Sequence, residues 1–141
     1  SDVVLPAVEK YAALATHTAQ GTCPLTLLGY SLSGLCSLFE MQTTCRFDQY
    51  LLASPSTWFP DFVKNFDTSH VRSDIRWCIA SGENEGINHP EPLRSVRQTT
   101  DALVEKLAPA APKYQRLLDS YDHHKGLELR LQRLLQFGFG A

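Results

Sequence analysis

Pro24-Leu25-Thr26-Leu27-Leu28 runs directly into Gly29-Tyr30-Ser31-Leu32-Ser33-Gly34, and the reading of this stretch decides the fold. The first five residues are an apolar run of strand length, the pattern of a strand covered on both faces of a sheet. After the serine, Leu35, Leu38, Phe39 and Met41 recur at helical spacing. A strand that stops abruptly, a serine on a sharp turn and a helix that starts at once make the layout of a nucleophile elbow. Strand and helix backbones approach closely there, so small residues are needed two before and two after the serine. Gly29 meets the first requirement, and Ser33 stands where glycine is usual.

The rest of the chain fits an α/β domain. It has 141 residues, 43% of them hydrophobic, enough for one domain with a real core, and we read residues 1–141 as that single domain. A formal net charge of −2, with Lys and Arg scattered, argues against a nucleic-acid partner. No apolar run approaches the roughly 20 residues that span a bilayer, so no membrane role is expected. Ser1-Asp2-Val3 lacks the charged start and apolar run of a signal peptide, and none is expected from this reading. Among the four cysteines, Cys23, Cys36, Cys45 and Cys78, there is no Cys-x-x-Cys pair and no zinc-finger spacing to histidine, so no metal is expected. Cys36 and Cys78 read as buried thiols, and a reducing, cytoplasmic setting is the expectation.

Along the chain, an amphipathic helix is expected over Val3–Gln20, with Leu5, Val8, Ala12 and Ala15 on its apolar stripe. Strands are expected at Leu25–Leu28, Gln49–Ala53, Ile75–Ala80 and Tyr114–Tyr121. Helices are expected at Ser33–Gln42, Pro92–Leu107 and Leu127–Phe137, with a short one at Pro60–Phe66. Alternation of this kind gives a parallel sheet flanked by helices, with its active edge at the carboxyl ends of the strands. No strand is read before the opening helix, so a sheet of this kind is expected to lack its first strands. An edge left open in that way invites a second copy or a partner chain.

A serine hydroxyl needs a base, usually histidine, and the histidine needs an orienting carboxylate. The chain offers them in the order serine, acid, histidine. Ser31 comes first, Glu83 and Glu85 follow the third strand, and His123 and His124 follow the last. Glu85 is preferred to Glu83 because a residue further into the loop can turn back toward the imidazole. His123 is placed ahead of His124, and Asp122 and Asp119 are weaker choices of acid. His17, His70 and His89 read as exposed. The backbone N–H of Leu32, at the positive end of a helix, is the candidate oxyanion donor. The second donor normally comes from the loop after an earlier strand, for which this chain shows no counterpart. Tyr30 and Trp58 are candidate substrate contacts, Trp58 being equally readable as a core anchor, and Trp77 reads as core.

From Leu25 onward the chain resembles the C-terminal half of an esterase family of α/β-hydrolases that includes the esterase-D-like and enterochelin-esterase-like enzymes. Gly29-Tyr30-Ser31-Leu32-Ser33-Gly34 is similar to the family's Gly-x-Ser-Leu-Gly-Gly elbow. Ser54-Pro55-Ser56-Thr57-Trp58 is similar to its Ser-Pro-Ser-x-Trp segment, and Gly82-Glu83-Asn84-Glu85 to its Gly-x-x-Glu. The resemblance implies a partial α/β-hydrolase fold with Ser31 as nucleophile, His123 as base and Glu85 as acid. It also implies hydrolysis of a small-molecule ester without metal or organic cofactor. The competing expectation is a truncated, non-catalytic hydrolase module that serves as an interaction domain, and a third is acyl transfer or thioester hydrolysis.

Overall fold

The computed structural model describes residues 24–140; the helix expected over Val3–Gln20, with His17 and Cys23, lies outside them. The described chain runs β1 (Thr26–Tyr30), α1 (Leu32–Thr43), β2 (Gln49–Ala53), β3 (Arg76–Gly82), α2 (Val96–Leu107), β4 (Lys113–Asp119) and α3 (Leu127–Phe139). A 3₁₀ turn at Leu93–Ser95 leads into α2. The strands form one parallel sheet in the order β1-β2-β3-β4. The fold is α/β, as the alternation of elements requires.

Strand alternation divides the core in two. Tyr50 and Leu52 of β2 and Trp77 and Ile79 of β3 point to one face. There they meet Leu38 and Met41 of α1 and Leu103 and Leu107 of α2. Leu51, Ala53, Cys78 and Ala80 point to the other face, against Leu134 of α3. A chain that moves one strand at a time in one direction, with right-handed crossovers, must put α1 and α2 on the same face. The final helix then returns across the opposite one. Trp77 is fully buried and donates from Nε1 to Ala111 O at 2.7 Å, with its ring stacked on Tyr114. It is the core residue that its strand position suggests.

Three expectations are corrected. Residues 60–65 form turns, and the helix expected over Pro60–Phe66 is absent, because Asp61 sits at φ 56°, a left-handed conformation that stops helix propagation. Cys36 is exposed: α1 buries Gly34, Leu35, Ser37, Leu38 and Met41, which turns Cys36 and Phe39 to the outside. β1 is only half-buried, with Leu28 41% exposed, because β2 is its one neighbour among the described strands. β2, between β1 and β3, is buried throughout. Among the described residues, no helix is long and apolar enough to cross a membrane.

Because every strand is parallel, Tyr30, Ala53, Gly82 and Asp119 end β1 to β4 along one edge of the sheet. Everything that follows sits on that edge.

Candidate active site

Ser31 occupies the one-residue gap between β1 and α1. Its backbone lies at φ 55°, ψ −117°, a conformation that L-residues avoid. Three hydrogen bonds hold it there: Ser31 N–H donates to Ala53 O, and Ser31 O accepts from Leu35 N–H and Ser56 N–H, all at 3.0–3.1 Å. The turn is as tight as the motif requires. A Cβ on Gly29 would stand 2.5 Å from Ser33 O and 2.6 Å from Ser37 Oγ. Ser33, where glycine was the expected residue, lies in the first turn of α1. Its hydroxyl faces out, donating to Tyr30 O at 2.7 Å and accepting from Tyr30 N–H at 2.8 Å.

The loop after β4 carries His123 across to this serine. His123 Nε2 lies 3.1 Å from Ser31 Oγ, and His123 Nδ1 lies 3.1 Å from Glu85 Oε2. A carboxylate can only accept, so Nδ1 carries the hydrogen and Nε2 is left to accept from the serine hydroxyl. Tyr30 stacks on the imidazole, with centroids 5.1 Å apart and the planes 26° from parallel. Its hydroxyl reaches His124 Nδ1 at 3.1 Å. Tyr30 thus stands against the two histidines, and the cavity beside Ser31 is lined by others.

Glu85 is 4% exposed and its second oxygen is saturated with donors. Oε1 accepts from Ser54 Oγ and from Gly82 N–H, each at 2.7 Å, and lies 3.1 Å from Arg130 Nη1. Burial by itself would raise the Glu85 pKa. The hydrogen bonds from His123, Gly82 and Ser54, with the charge of Arg130, outweigh it and hold the group below the usual carboxylate range. The approach of the chain here demands glycine, since a Cβ on Gly82 would fall 1.9 Å from Tyr121 O.

The other candidates are placed elsewhere. Glu83 is exposed, and its N–H bonds Asp119 O. Asp119 is engaged by Arg130 at 2.7 Å and 2.8 Å. Asp122 accepts from the N–H groups of His124 and Lys125, which pins the start of the histidine loop. His70 is exposed, and His89 is exposed on the rim of the site. Leu32 opens α1, so its N–H is one of the helix's unpartnered first-turn donors.

A cavity of about 440 Å³ opens beside Ser31, lined by Ser56, Trp58, Asn84, His89, Leu93, Val96 and the two histidines among others. That volume is in the range of small-molecule sites. Trp58 is half-buried and forms part of this wall. No group of His, Cys, Asp and Glu among the described residues converges as metal ligands would.

Sequence reading singled out the segment of Ser54 and Ser56 but gave neither a role in the site, and it missed Arg130. Ser56 Oγ lies 3.5 Å from Ser31 Oγ, and Ser54 bridges Glu85 to Arg130 from a left-handed backbone at φ 44°. Arg130 had a legible signal. It falls at helical spacing with Leu127 and Leu134, a lone charge on the inward stripe of α3.

Glu85 and Asp119 both have carboxyl groups held below their ordinary values, Asp119 by the Arg130 fork acting against burial. Groups depressed in the folded state contribute stability that is complete above the unfolded pKa, about 4. That contribution drains as pH falls through the folded values. Thermal melts are therefore expected to be flat from pH 7 to about 5 and to drop below about 4, with a shallower drop in Asp119→Asn. A melting temperature that rises on acidification contradicts this.

No protein-family model matches the chain, and no curated protein sequence matches it. Among solved structures, siderophore hydrolase EstB from Aspergillus nidulans is similar with a TM-score of 0.65 and 19% identity, over 98% of this chain and 57% of that one. Siderophore hydrolase EstA from Aspergillus nidulans gives a TM-score of 0.58 and 23% identity, over 79% of this chain and 46% of that one. The chain spans about half the length of these two proteins. At such identities the likeness is one of fold alone, an α/β architecture built on a parallel sheet flanked by helices.

Proposed function

We propose that this protein is a serine esterase that cleaves carboxylic esters through an acyl-enzyme on Ser31. The observation that carries the reading is the unbroken line of hydrogen bonds from Ser31 Oγ through the two ring nitrogens of His123 to Glu85. The line ends on a serine held in a strained turn beside a cavity.

Each step follows from those atoms. Ser31 Oγ attacks the ester carbonyl carbon while His123 Nε2 takes its proton. The imidazolium so formed is stabilised by Glu85, which stays ionised. The carbonyl oxygen becomes an oxyanion and accepts from Leu32 N–H at the start of α1. Collapse of the tetrahedral intermediate breaks the bond to the leaving alcohol, which receives the proton from His123. Water then attacks the acyl-serine, giving its proton to the same nitrogen. The acid departs, and the proton returns to Ser31. Trp58 forms a wall for the substrate, and Tyr30 supports the imidazole from behind.

The two similar structures are named siderophore hydrolases, so esters of siderophores are the first natural substrates to test. A p-nitrophenyl ester tests the class. Rapid mixing with excess p-nitrophenyl acetate is expected to release a burst of about one p-nitrophenol per chain, followed by slower turnover. A linear trace no faster than buffer removes the reading and favours a non-catalytic module.

A further inference from the structure

Arg130 is 1% exposed, on a helix whose other inward residues are apolar or glycine. Burying a guanidinium costs several kcal/mol unless its hydrogen bonds are made. Here all five N–H donors of the side chain have a partner. Nε and one Nη2 hydrogen go to the two oxygens of Asp119, at 2.7 and 2.8 Å. The second Nη2 hydrogen goes to Asp122 O at 2.6 Å. The Nη1 hydrogens go to His123 O at 3.0 Å and Ser54 Oγ at 2.8 Å.

The choice of acceptors is what matters. Two are the backbone carbonyls on either side of the imidazole-bearing Cα, so the guanidinium fixes the peptide units from which His123 projects. A third, Ser54, passes its own hydrogen to Glu85 Oε1, which also lies 3.1 Å from Nη1. One rigid planar group therefore holds the backbone of His123 and the carboxylate that orients it. The chain clears space for it: a Cβ on Gly82 or Gly126 would come within 2.4 or 2.5 Å of Nη2.

We propose that Arg130 is a positioning residue, whose fork sets the distance and alignment between Glu85 and His123 and thereby the readiness of His123 to take a proton from Ser31. This rests on the esterase reading for its kinetic part only; the seating of His123 against Glu85 is a matter of structure. Lysine cannot substitute, because an ammonium is a point donor on a flexible stem and cannot span Asp119, Ser54 and two carbonyls. The charged and titratable groups that face the guanidinium include Glu85 after β3, Asp119 at the end of β4, Asp122 and His123 in the last loop and Tyr30 at the end of β1, with Arg133 of its own helix acting on Asp119.

The test compares wild type, Arg130→Lys and Asp119→Asn, the last leaving Arg130 in place and unhooking only its far end. Circular dichroism measures the folded fraction. NMR follows the low-field His123 Nδ1–H signal that a hydrogen bond to Glu85 produces, and p-nitrophenyl acetate kinetics give kcat and KM. Arg130→Lys is expected to lower kcat per folded molecule about 10- to 100-fold with KM within about twofold, the signature of lost alignment, not lost binding. Its low-field signal is expected to vanish. Asp119→Asn is expected to show the same two changes to a smaller degree, and it decides the matter if Arg130→Lys does not fold. The proposal is overturned if the folded variants keep the signal and the wild-type kcat, activity falling only with the folded fraction. A wild type that shows the signal yet hydrolyses nothing defeats the esterase reading instead, and loss of the signal in the variants still reports on the clamp.

Discussion

Ser31→Ala is expected to abolish ester hydrolysis while leaving the protein at least as stable as wild type. Removing the nucleophile of such a unit costs about 10⁴- to 10⁶-fold in kcat, the residue of activity coming from the oxyanion donor and binding. No core contact is lost, because the hydroxyl's neighbours are His123 Nε2 and, more distantly, Ser56 Oγ. The strain at φ 55°, ψ −117° belongs to the backbone and remains with alanine. Ser31→Gly separates the two effects. Glycine adopts this conformation freely, so the same loss of activity is expected to come with a gain of about 1–2 kcal/mol in unfolding free energy. Its entropic cost in the unfolded chain offsets part of that gain. Parallel urea denaturation and p-nitrophenyl acetate assays read both quantities. A serine whose replacement by glycine destabilises the fold and spares the activity has no place in this account.

Glu85→Gln is expected to be nearly as damaging, for a reason that the donor pattern makes specific. Glu85 Oε1 accepts from Ser54 Oγ and Gly82 N–H and lies against the positive Arg130 guanidinium. An amide NH₂ cannot sit among them, so the glutamine must turn its oxygen inward and its NH₂ toward His123. That forces Nδ1 to accept, which puts the ring hydrogen on Nε2, where it can no longer take a proton from Ser31. A fall of about 10³- to 10⁴-fold in kcat with little change in KM is expected from the wrong tautomer. The fold is expected to survive, because Arg130 keeps the Asp119 pair. An active Glu85→Gln protein would mean that the carboxylate does not orient the imidazole.

The sequence carried more of this site than its fragmentary motifs suggest. The sharp turn was legible because the close approach at Gly29 leaves few residue choices there, and a parallel sheet puts the loops that carry Ser31, Glu85 and His123 on one edge. β2 keeps its expected bounds, Gln49–Ala53, while the carboxyl ends of β1, β3 and β4 moved by two residues, since where a ladder stops depends on the neighbouring strand: β3 runs on to Gly82 because β4 pairs with it as far as Asp119. The apparent stripe on α1 misassigned Phe39, which is 58% exposed. Hydrophobicity alone does not say which side of a helix meets a sheet. The supporting residues were hidden for a different reason. Ser54, Ser56 and Arg130 act through hydrogen bonds to backbone and side chains far off in sequence, and Arg130 and Ser54 meet across 76 positions. Only the inward placement of a single arginine among leucines hinted at the clamp.

The most direct measurement is peptide mapping of the folded chain after reaction with a fluorophosphonate, with the urea-unfolded chain as control. Phosphonylation of Ser31 alone, lost on unfolding and lost in His123→Ala, is the predicted result. A folded chain in which Ser31 stays unmodified, or is modified no faster than Ser54 and Ser56, contradicts the account.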